Sequence, residues 1–384
     1  MRHRILFGVA LVFATAGWAS CSPDEDAAFD EDDAAPACRT DLTGELGRLK
    51  VPGLSAAIVV DGRIACTAVA GQADIEAGRA VAADTVFAWA SVSKTVTATA
   101  AMMLRDEGAF DLDDDIDDYL PFAVDNPACP GEPITFRQLL THTSSIRDNW
   151  PIYDQSYVIG DSPIALGDYV RGYLVPGGEY YDGERNFKAA CPGEVYDYSN
   201  VAVGLLGYLL EEISGSSFDE LCRQRIFEPL GMDQTSFRLS ELDLDGVAMP
   251  YDGRTTFKPH GHVGYPTIAD GLLRTSAPHL GRFLAMFAAR GALDGERLLA
   301  EATADEMRRL QIPELDDTQG LIWYYESIGR EGLLGHDGDD PGTSSLMFFD
   351  PQGGDGVLLV ANGVWVWPEA HRLFGELFAE AERY

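Results

Sequence analysis

The chain reads SVSKTVTATAAMML from Ser91 to Leu104 and reaches a glycine at Gly108. Because this stretch is apolar or small on nearly all sides, it predicts a buried central helix rather than a surface one. Its β-branched residues are poor helix formers, so burial has to override their intrinsic preference. Residues three apart share one helical face, which brings the hydroxyl of Ser91 and the amine of Lys94 within hydrogen-bond reach. Burial would lower the pKa of Lys94, as a general base requires.

Strand patterns lie on both sides of this helix in the sequence. The first two surround Asp61-Gly62, a strong hairpin signal. Three more come late in the chain, before an amphipathic closing helix with Leu373, Leu377 and Phe378 on one face. The five strand patterns occupy residues 54–60, 63–70, 321–326, 344–349 and 356–361.

Residues from about 109 to 265 are loop-rich and mostly helical in pattern. The clearest helix runs from Val201 to Ser214, with Asn200 available as its N-cap and Gly215 beyond its end. The chain therefore predicts an α+β fold. One antiparallel sheet is built from N- and C-terminal segments and flanked by helices, beside an all-α lobe at roughly 109–265.

Two further short motifs offer chemistry to the Ser91–Lys94 pair. Tyr198-Ser199-Asn200 supplies a phenol that can relay a proton to a leaving group, although it equally suits a core tyrosine and a helix cap. His336-Asp337-Gly338 can place a backbone N–H against a developing oxyanion, and its glycine lets substrate approach the main chain. Alone, Ser-x-x-Lys also fits a surface helix pair and a histidine is more often structural. The prediction therefore rests on the combination.

In order and wide spacing, the three motifs resemble the S-x-x-K, S-D-N-like and K-T-G elements of the penicillin-recognising serine enzymes. The resemblance is to the branch of class C β-lactamases, D-alanyl-D-alanine carboxypeptidases and related esterases and D-aminopeptidases. There, Tyr-x-Asn replaces Ser-Asp-Asn and His-x-Gly often replaces Lys-Thr-Gly. Residues 139–145 (LLTHTSS, with Ser145 where glycine is usual) and 226–232 (IFEPLGM) also look like family segments. The similarity covers about residues 41–384 and implies a serine hydrolase without cofactor.

The resemblance implies a catalytic role for each matching residue. Ser91 would be the nucleophile, Lys94 the general base for acylation and Tyr198 the proton shuttle. The backbone N–H groups of Ser91 and Asp339 would form the oxyanion hole.

The remaining matches concern substrate binding. Asn200 would orient Lys94 and bind a substrate carbonyl, and His336 and Gly338 would border the substrate. The chain departs from the family pattern at Asp337, since β-lactamases and carboxypeptidases have a threonine there that helps to hold a substrate carboxylate. A carboxylate in that place would repel such a group. We therefore expect an esterase or D-amino-acid amidase type of activity on neutral or amine-bearing esters, amides or peptides.

Two alternatives stay open at this point. The first is D-alanyl-D-alanine carboxypeptidase or β-lactamase activity itself. The second belongs to another class, a catalytically silent protein that keeps the fold for ligand binding or assembly. The intact set of Ser91, Lys94, Tyr198 and Asn200 argues against the silent protein.

The amino-acid composition indicates which classes of molecule the protein would bind. The 384-residue chain is 46% hydrophobic, which is enough for a substantial core. Its formal net charge of −34 disfavours nucleic acid and anionic membranes, because the long-range potential repels both. The expected partner is a small-molecule or short-peptide substrate. No metal is expected, since His260-x-His262 lacks a third ligand placed by spacing.

The N-terminus has the layout of a signal peptide, with Arg2 and Arg4 before an apolar run too short to span a bilayer. Ordinary cleavage competes with lipidation at Cys21, in the lipobox-like Ala19-Ser20-Cys21. We favour lipidation because an acidic linker follows Cys21 directly. The expected division is signal peptide 1–20, linker 21–40 and catalytic domain 41–384. The protein would be a bacterial periplasmic or envelope-anchored lipoprotein, touching the membrane only through Cys21.

Export also implies an oxidising compartment, in which cysteines pair. Cys129 and Cys191 both lie in Cys-Pro-Gly loops, and we expect them to form a disulfide. A second pair is expected between Cys38 and Cys66, and Cys222 is expected as a buried thiol on a helix. Connectivity cannot be derived from sequence alone, so these pairs are hypotheses.

Overall fold

The computed structural model describes residues 35–384, so the predicted signal peptide, Cys21 and most of the predicted linker lie outside the described residues. The helices are α1 (Leu46–Leu49), α2 (Ser93–Asp106), α3 (Phe136–Leu140), α4 (Trp150–Tyr153), α5 (Leu166–Leu174), α6 (Asn200–Ser214), α7 (Phe218–Cys222), α8 (Ala277–Ala288), α9 (Glu301–Arg308) and α10 (Trp367–Ala381). The strands are β1 (Gly53–Val60), β2 (Arg63–Asp74), β3 (Arg79–Ala80), β4 (Phe87–Ala88), β5 (Val158–Ile159), β6 (Tyr251–Asp252), β7 (Lys258–Pro259), β8 (Val263–Gly264), β9 (Arg274–Thr275), β10 (Ala292–Leu293), β11 (Glu296–Arg297), β12 (Tyr324–Glu326), β13 (Leu333–Asp340), β14 (Thr343–Phe349) and β15 (Gly356–Ala361).

Seven strands form one antiparallel sheet in the order β12-β13-β14-β15-β1-β2-β3. The N-terminal and C-terminal strands of the sheet are joined where β1 pairs with β15, with Leu54 opposite Ala361. The hairpin between β1 and β2 turns at Asp61 and Gly62, whose φ angles of 51° and 74° are those that a two-residue hairpin turn requires. The predicted sheet from N- and C-terminal segments is therefore confirmed.

Strand β1 is buried on both faces and sits at the centre of the molecule. Successive side chains of a strand point to opposite faces, which divides the core in two. Ala57 and Val59 belong to the larger core, against α8 and the helical region. Ala56 and Ile58 belong to a smaller core beneath α10, which includes Leu373. The sheet is thus covered by helices on both faces.

The segment from 109 to 265 is not all-α as predicted. It contains α3 to α7, but β5 pairs with β8 and β6 pairs with β7 in small two-stranded sheets. Each of these strands is two residues long, which is too short for an alternating pattern to be visible in the sequence. Helix α2 packs against α6 and α7 of this segment and is buried from Ser93 to Leu104, as predicted for a central helix.

Helix α6 confirms the predicted helix at 201–214, but the predicted cap was wrong. Ser199 is the N-cap, since its Oγ accepts a hydrogen bond from the Ala202 N–H at 3.1 Å. Asn200 is the first helical residue, and its side chain is engaged elsewhere.

Both expected disulfides, Cys38–Cys66 and Cys129–Cys191, are present, and Cys222 is a buried free thiol. The folded part extends six residues before the predicted start at 41. Cys38 N donates to Thr67 O at 2.8 Å, and Thr40 N donates to the Glu380 carboxylate at 2.8 Å. Within residues 35–384, no helix has the length and apolar character needed to cross a membrane.

Candidate active site

Ser91 lies in a tight turn that precedes helix α2. Residues 90–92 form one turn of 3₁₀ helix, and Ala90 has a φ of 47°, a conformation that a non-glycine residue rarely adopts. Trp89 fixes the entry to this turn, because its backbone N–H donates to Leu273 O and its indole N–H to Thr275 O, both at 2.9 Å. Ser91 lines a large cleft. Stored strain of this kind is common where a reactive side chain is presented.

Lys94 is fully buried, one helical turn after Ser91. Its Nζ lies 3.0 Å from Ser91 Oγ, 2.7 Å from Asn200 Oδ1 and 2.5 Å from the backbone oxygen of Asp270. Both carbonyl oxygens can only accept. A neutral Lys94 therefore spends its two N–H bonds on them and turns its lone pair toward the Ser91 hydroxyl.

The charge state of Lys94 is set by opposing effects. Burial is the largest of them and lowers the pKa of Lys94 from its ordinary value, because the charged ammonium is poorly solvated. The carboxylates of Asp270, Asp148, Asp340 and Asp337 act in the other direction, with smaller effects. The net direction favours the neutral amine.

Tyr198 is half-buried beside Lys94 and lines the cleft. Lys94 Nζ lies 5.0 Å from the centre of the Tyr198 ring. Burial raises the pKa of Tyr198 well above its ordinary value, and a hydrogen bond with Ser91 opposes this only in part. The phenol is therefore protonated at neutral pH, and it shares the Ser91 hydroxyl with Lys94.

Asn200 links this group to helix α6. Its side-chain oxygen accepts from Lys94, and its Nδ2 donates to Asp148 Oδ2 at 2.8 Å. Asp148 is itself buried, and it accepts three more hydrogen bonds from residues 199–201 at the start of α6. The predicted residues Ser91, Lys94, Tyr198 and Asn200 thus form one connected cluster.

The opposite wall of the cleft is strand β13. His336 Nδ1 lies 2.5 Å from the backbone oxygen of Asp337, so this nitrogen must carry the proton and donate it. His336 Nε2 is then an acceptor, and it has no hydrogen-bond partner among the described residues. Burial lowers the pKa of His336 to about 4, so the ring is neutral at pH 7.

Asp337, the departure from the family pattern, lies half-buried on this wall. The Asp337 carboxylate accepts a hydrogen bond from the Tyr324 hydroxyl. The oxygen of that hydroxyl in turn accepts a hydrogen bond from the backbone N–H of Asp337 at 3.2 Å. Burial raises the pKa of both Asp339 and Asp340 to about 6. Tyr157 and Tyr265 donate to Asp340 at 2.9 and 3.2 Å.

Gly338 brings the two walls into contact. A Cβ at this position would lie 2.7 Å from Trp89 O and 2.8 Å from Ser91 N, closer than side-chain carbons are found. The glycine is therefore needed for β13 to lie against the Ser91 turn. This reason is separate from the predicted one, which was that Gly338 lets substrate approach the main chain. Both predicted oxyanion-hole residues, Ser91 and Asp339, border the cleft.

The cleft between these walls has a volume of about 980 Å³ and carries one sign of charge. Six of the residues that line it are acidic, and none of its lining residues within the described part of the chain is Lys or Arg. The six are Asp154, Asp270, Glu326, Asp337, Asp339 and Asp340.

Comparison with known proteins agrees with this fold. The beta-lactamase family model matches residues 27–371. This chain belongs to the β-lactamase family. It is therefore a serine hydrolase of the β-lactamase and DD-peptidase superfamily, with the mixed α/β fold of that superfamily.

Three relatives show the range of this family. The chain is 31% identical to penicillin-binding protein 4 of Amycolatopsis lactamdurans, covering 86% of each chain. The octameric penicillin-binding protein homologue of Pyrococcus abyssi has a similar structure, with 25% identity and a TM-score of 0.68, covering 88% of this chain and 75% of that one. A D-stereospecific amidohydrolase from Streptomyces sp. is also 25% identical, with a TM-score of 0.63, covering 85% of this chain and 94% of that one.

Three polar residues of this β-lactamase-family site were missed by the sequence reasoning. They are Asp148, Asp270 and His142, and all three are buried. His142 Nδ1 accepts from Ser199 N at 3.3 Å, and its ring centre lies 4.4 Å from that of Tyr198. His142 stands in the LLTHTSS segment used for the resemblance. Asp148 and Asp270 carried no motif that could have identified them.

Two other residues of interest were placed by the structure. Ser145, where the family usually has glycine, has a φ of 66°, which explains the usual preference. His260 lines the cleft, and its Nδ1 lies 2.7 Å from an oxygen of Asp252.

Proposed function

We propose that this enzyme hydrolyses esters, amides or short peptides through an acyl-enzyme on Ser91. We further propose that it prefers an ammonium or a neutral group beside the reacting carbonyl over a carboxylate. The observation that carries the preference is the wall formed by β13, on which the half-buried carboxylate of Asp337 borders the cleft beside the buried, neutral ring of His336.

Acylation follows from the contacts of Ser91. Lys94 takes the hydroxyl proton as Ser91 Oγ attacks the carbonyl carbon, and the backbone N–H groups of Ser91 and Asp339 hold the resulting oxyanion. As the bond between carbon and the leaving amine or alkoxide breaks, Tyr198 gives its proton to the leaving group and regains one from Lys94, so both side chains return to their starting forms. The ester of Ser91 remains, and the leaving group departs in neutral form.

Deacylation uses the same groups with water as the nucleophile. A water molecule attacks the Ser91 ester and loses a proton to the Lys94–Tyr198 pair. The C–Oγ bond breaks, Ser91 Oγ regains a proton, and the free acid leaves. The acid carries a negative charge into an acidic cleft, which favours its release.

Substrate preference follows from electrostatics. β-Lactams and D-alanyl-D-alanine peptides carry a carboxylate, which Asp337 and its acidic neighbours repel. An ammonium group is instead attracted by the carboxylate of Asp337 and donates a hydrogen bond to it. The similarity to a D-stereospecific amidohydrolase supports amides as a substrate class.

A matched set of p-nitroanilides tests this preference. Alanine, N-acetyl-alanine and N-succinyl-alanine p-nitroanilide place an ammonium, a neutral group and a carboxylate at one end of the same acyl unit, in D and L forms. We expect kcat/KM to be highest for the ammonium or neutral substrate, and about tenfold lower for the succinyl one. Equal or faster turnover of the succinyl substrate, or of a cephalosporin reporter, would contradict the preference.

The acyl-enzyme is tested separately with a fluorophosphonate probe. The natural protein should be labelled once, and Ser91→Ala should lose both the label and the hydrolysis of all substrates. Undiminished labelling of Ser91→Ala would place the nucleophile elsewhere. Export and lipidation at Cys21 remain proposals, and incorporation of labelled fatty acid that Cys21→Ala abolishes would test them.

A further inference from the structure

We propose that Asp148 is a positioning residue of this active site. It fixes the side-chain amide of Asn200 in the one orientation that turns its oxygen toward Lys94, and so leaves the Lys94 lone pair to Ser91. The proposal rests on the proposed function, since it assumes that Lys94 is the base.

Asp148 lies between α3 and α4, and it is only 8% exposed. Its Oδ1 accepts from Ser199 Oγ at 2.9 Å and from Val201 N at 3.0 Å. Its Oδ2 accepts from Asn200 N at 2.9 Å and from Asn200 Nδ2 at 2.8 Å. Each oxygen thus takes two donors, and a carboxylate offers no donor that could compete.

The backbone around Asp148 is itself held in place. The hydroxyl of Tyr173 donates to Arg147 O at 2.8 Å and accepts from Asn149 N at 2.6 Å. One buried side chain therefore bridges the residues on either side of Asp148. The carboxylate is fixed before it meets Asn200.

The consequence for Lys94 comes from the geometry of an amide. The two ends of the Asn200 side chain have nearly the same shape, but one accepts and the other donates. With Nδ2 bound to Asp148, Oδ1 must face Lys94 Nζ, at 2.7 Å. If the amide turned over, its N–H would donate to the Lys94 lone pair, which would then be lost to Ser91.

Anchoring the start of α6 does not by itself explain all four bonds. A carboxylate at a helix N-terminus satisfies free backbone N–H groups and the helix dipole, and the bonds to the N–H groups of Asn200 and Val201 do this. Ser199 already caps the helix through Ala202 N. The bond to Asn200 Nδ2 adds nothing to the helix, and it is the one that reaches Lys94.

Asp148→Asn is the sharpest variant, because it keeps the shape and removes one acceptor end. The new amide group either faces the two Asn200 donors, so that both of those bonds are lost, or faces Ser199 and Val201, so that the Val201 bond is lost while the Ser199 hydroxyl turns to accept. In either orientation the Asn200 amide loses its charged acceptor. We expect kcat per active site to fall about 10- to 100-fold with KM changed less than about threefold. Active sites are counted with the fluorophosphonate probe, so that unfolded protein does not enter the rate.

A double-mutant cycle separates positioning from mere stability. Asn200→Ala should lower kcat by a similar factor, and Asp148→Asn added to Asn200→Ala should lower it by less than about threefold more. Losses that multiply in the double variant would overturn the proposal. So would an Asp148→Asn protein with normal kcat per labelled site and only a lower Tm.

Asp219 supplies a matched control. It is also 8% exposed, and it forms an ion pair with Arg238 at 3.0 Å away from the cleft lining. Asp219→Asn should lower Tm and leave kcat per active site unchanged. If Asp148→Asn does not fold, Asp148→Glu enters the same cycle, since it keeps the charge and moves it by one methylene.

Failure of this proposal is distinguishable from failure of the proposed function. If the natural protein is not labelled at Ser91, the acyl-enzyme itself is wrong. If labelling succeeds and the cycle is additive, only the role of Asp148 is wrong.

Discussion

The helical and strand walls of the cleft differ in how their polar groups are satisfied. On the helical wall, Lys94 and Asn200 have their hydrogen-bonding groups engaged by buried partners of the protein. On the strand wall, the acceptor nitrogen of His336 lacks a partner among residues 35–384, and Asp337 borders the open cleft. The helical wall therefore has little hydrogen-bonding capacity left for a ligand, whereas the carboxylate of Asp337 borders the cleft where a ligand would bind. This contrast supports the proposal that the helical wall carries out the chemistry and the strand wall selects the substrate.

Lys94→Ala is the strongest test of that division, and it acts on the helical wall. The variant removes the proposed base and leaves the oxygens of Asn200 and Asp270 without their donor. We expect kcat to fall about 10³- to 10⁴-fold for the ammonium and the neutral p-nitroanilide alike, because general-base catalysis is lost for both. Steady-state kinetics with active-site counting measures the fall.

The control for Lys94→Ala is Lys258→Ala, which removes an exposed ammonium that is not among the residues lining the cleft. It should leave kcat unchanged. If Lys94→Ala altered the ratio between the two substrates by more than about threefold, the helical wall would also take part in recognition.

The helical wall was the part of the site most visible in the sequence. Ser91 and Lys94 share a helix turn, so local spacing predicted their contact, measured at 3.0 Å. Tyr198 and Asn200 lie more than a hundred residues away, and only the family resemblance joined them to that pair. Asp148 and Asp270 were not identified from the sequence, because a single aspartate forms no recognisable motif. Only the fold shows that these two residues lie near Lys94.

The overall fold was predictable for similar reasons. The hairpin at Asp61 and Gly62 and the apolar run of α2 are local signals, and both appear in the structure. The strand pairs within 109–265 were missed because each strand is only two residues long, and because β5 and β8 are also far apart in sequence. The cap of α6 was misassigned because the side chain of Asn200 is drawn away by Lys94 and Asp148.

Asp337→Thr tests the strand wall, and its effect should be smaller and selective. Removing the carboxylate should raise kcat/KM for the succinyl substrate about tenfold and lower it about tenfold for the ammonium substrate, which corresponds to about 1.4 kcal/mol each way. The neutral substrate should change less than about threefold. The measurement is kcat/KM for all three p-nitroanilides at one ionic strength.

Two further variants serve as controls for Asp337→Thr. Asp337→Asn removes the charge but keeps an acceptor for the Tyr324 hydroxyl, so it separates charge from the position of that ring. Glu326→Gln removes an equal charge from an exposed position on the cleft. If Glu326→Gln shifted the preference as much as Asp337→Thr, recognition would come from the general field of the cleft and not from Asp337.

The smallest expected effect is a pH dependence of the preference. Burial raises the pKa of both Asp339 and Asp340 to about 6, so these groups are charged above pH 6 and neutral below it. The ratio of kcat/KM for the ammonium substrate to that for the neutral one should therefore fall about three- to fivefold between pH 7 and pH 5. The substrate ammonium stays protonated in this range, since α-amino groups titrate near pH 8. His336 stays neutral, because its pKa is about 4.

Any titration of Lys94 affects both substrates and cancels in the ratio. Asp339→Asn and Asp340→Asn should each flatten the curve in part, and a ratio that stays constant from pH 5 to 7 would show that these two carboxyl groups do not contribute to recognition.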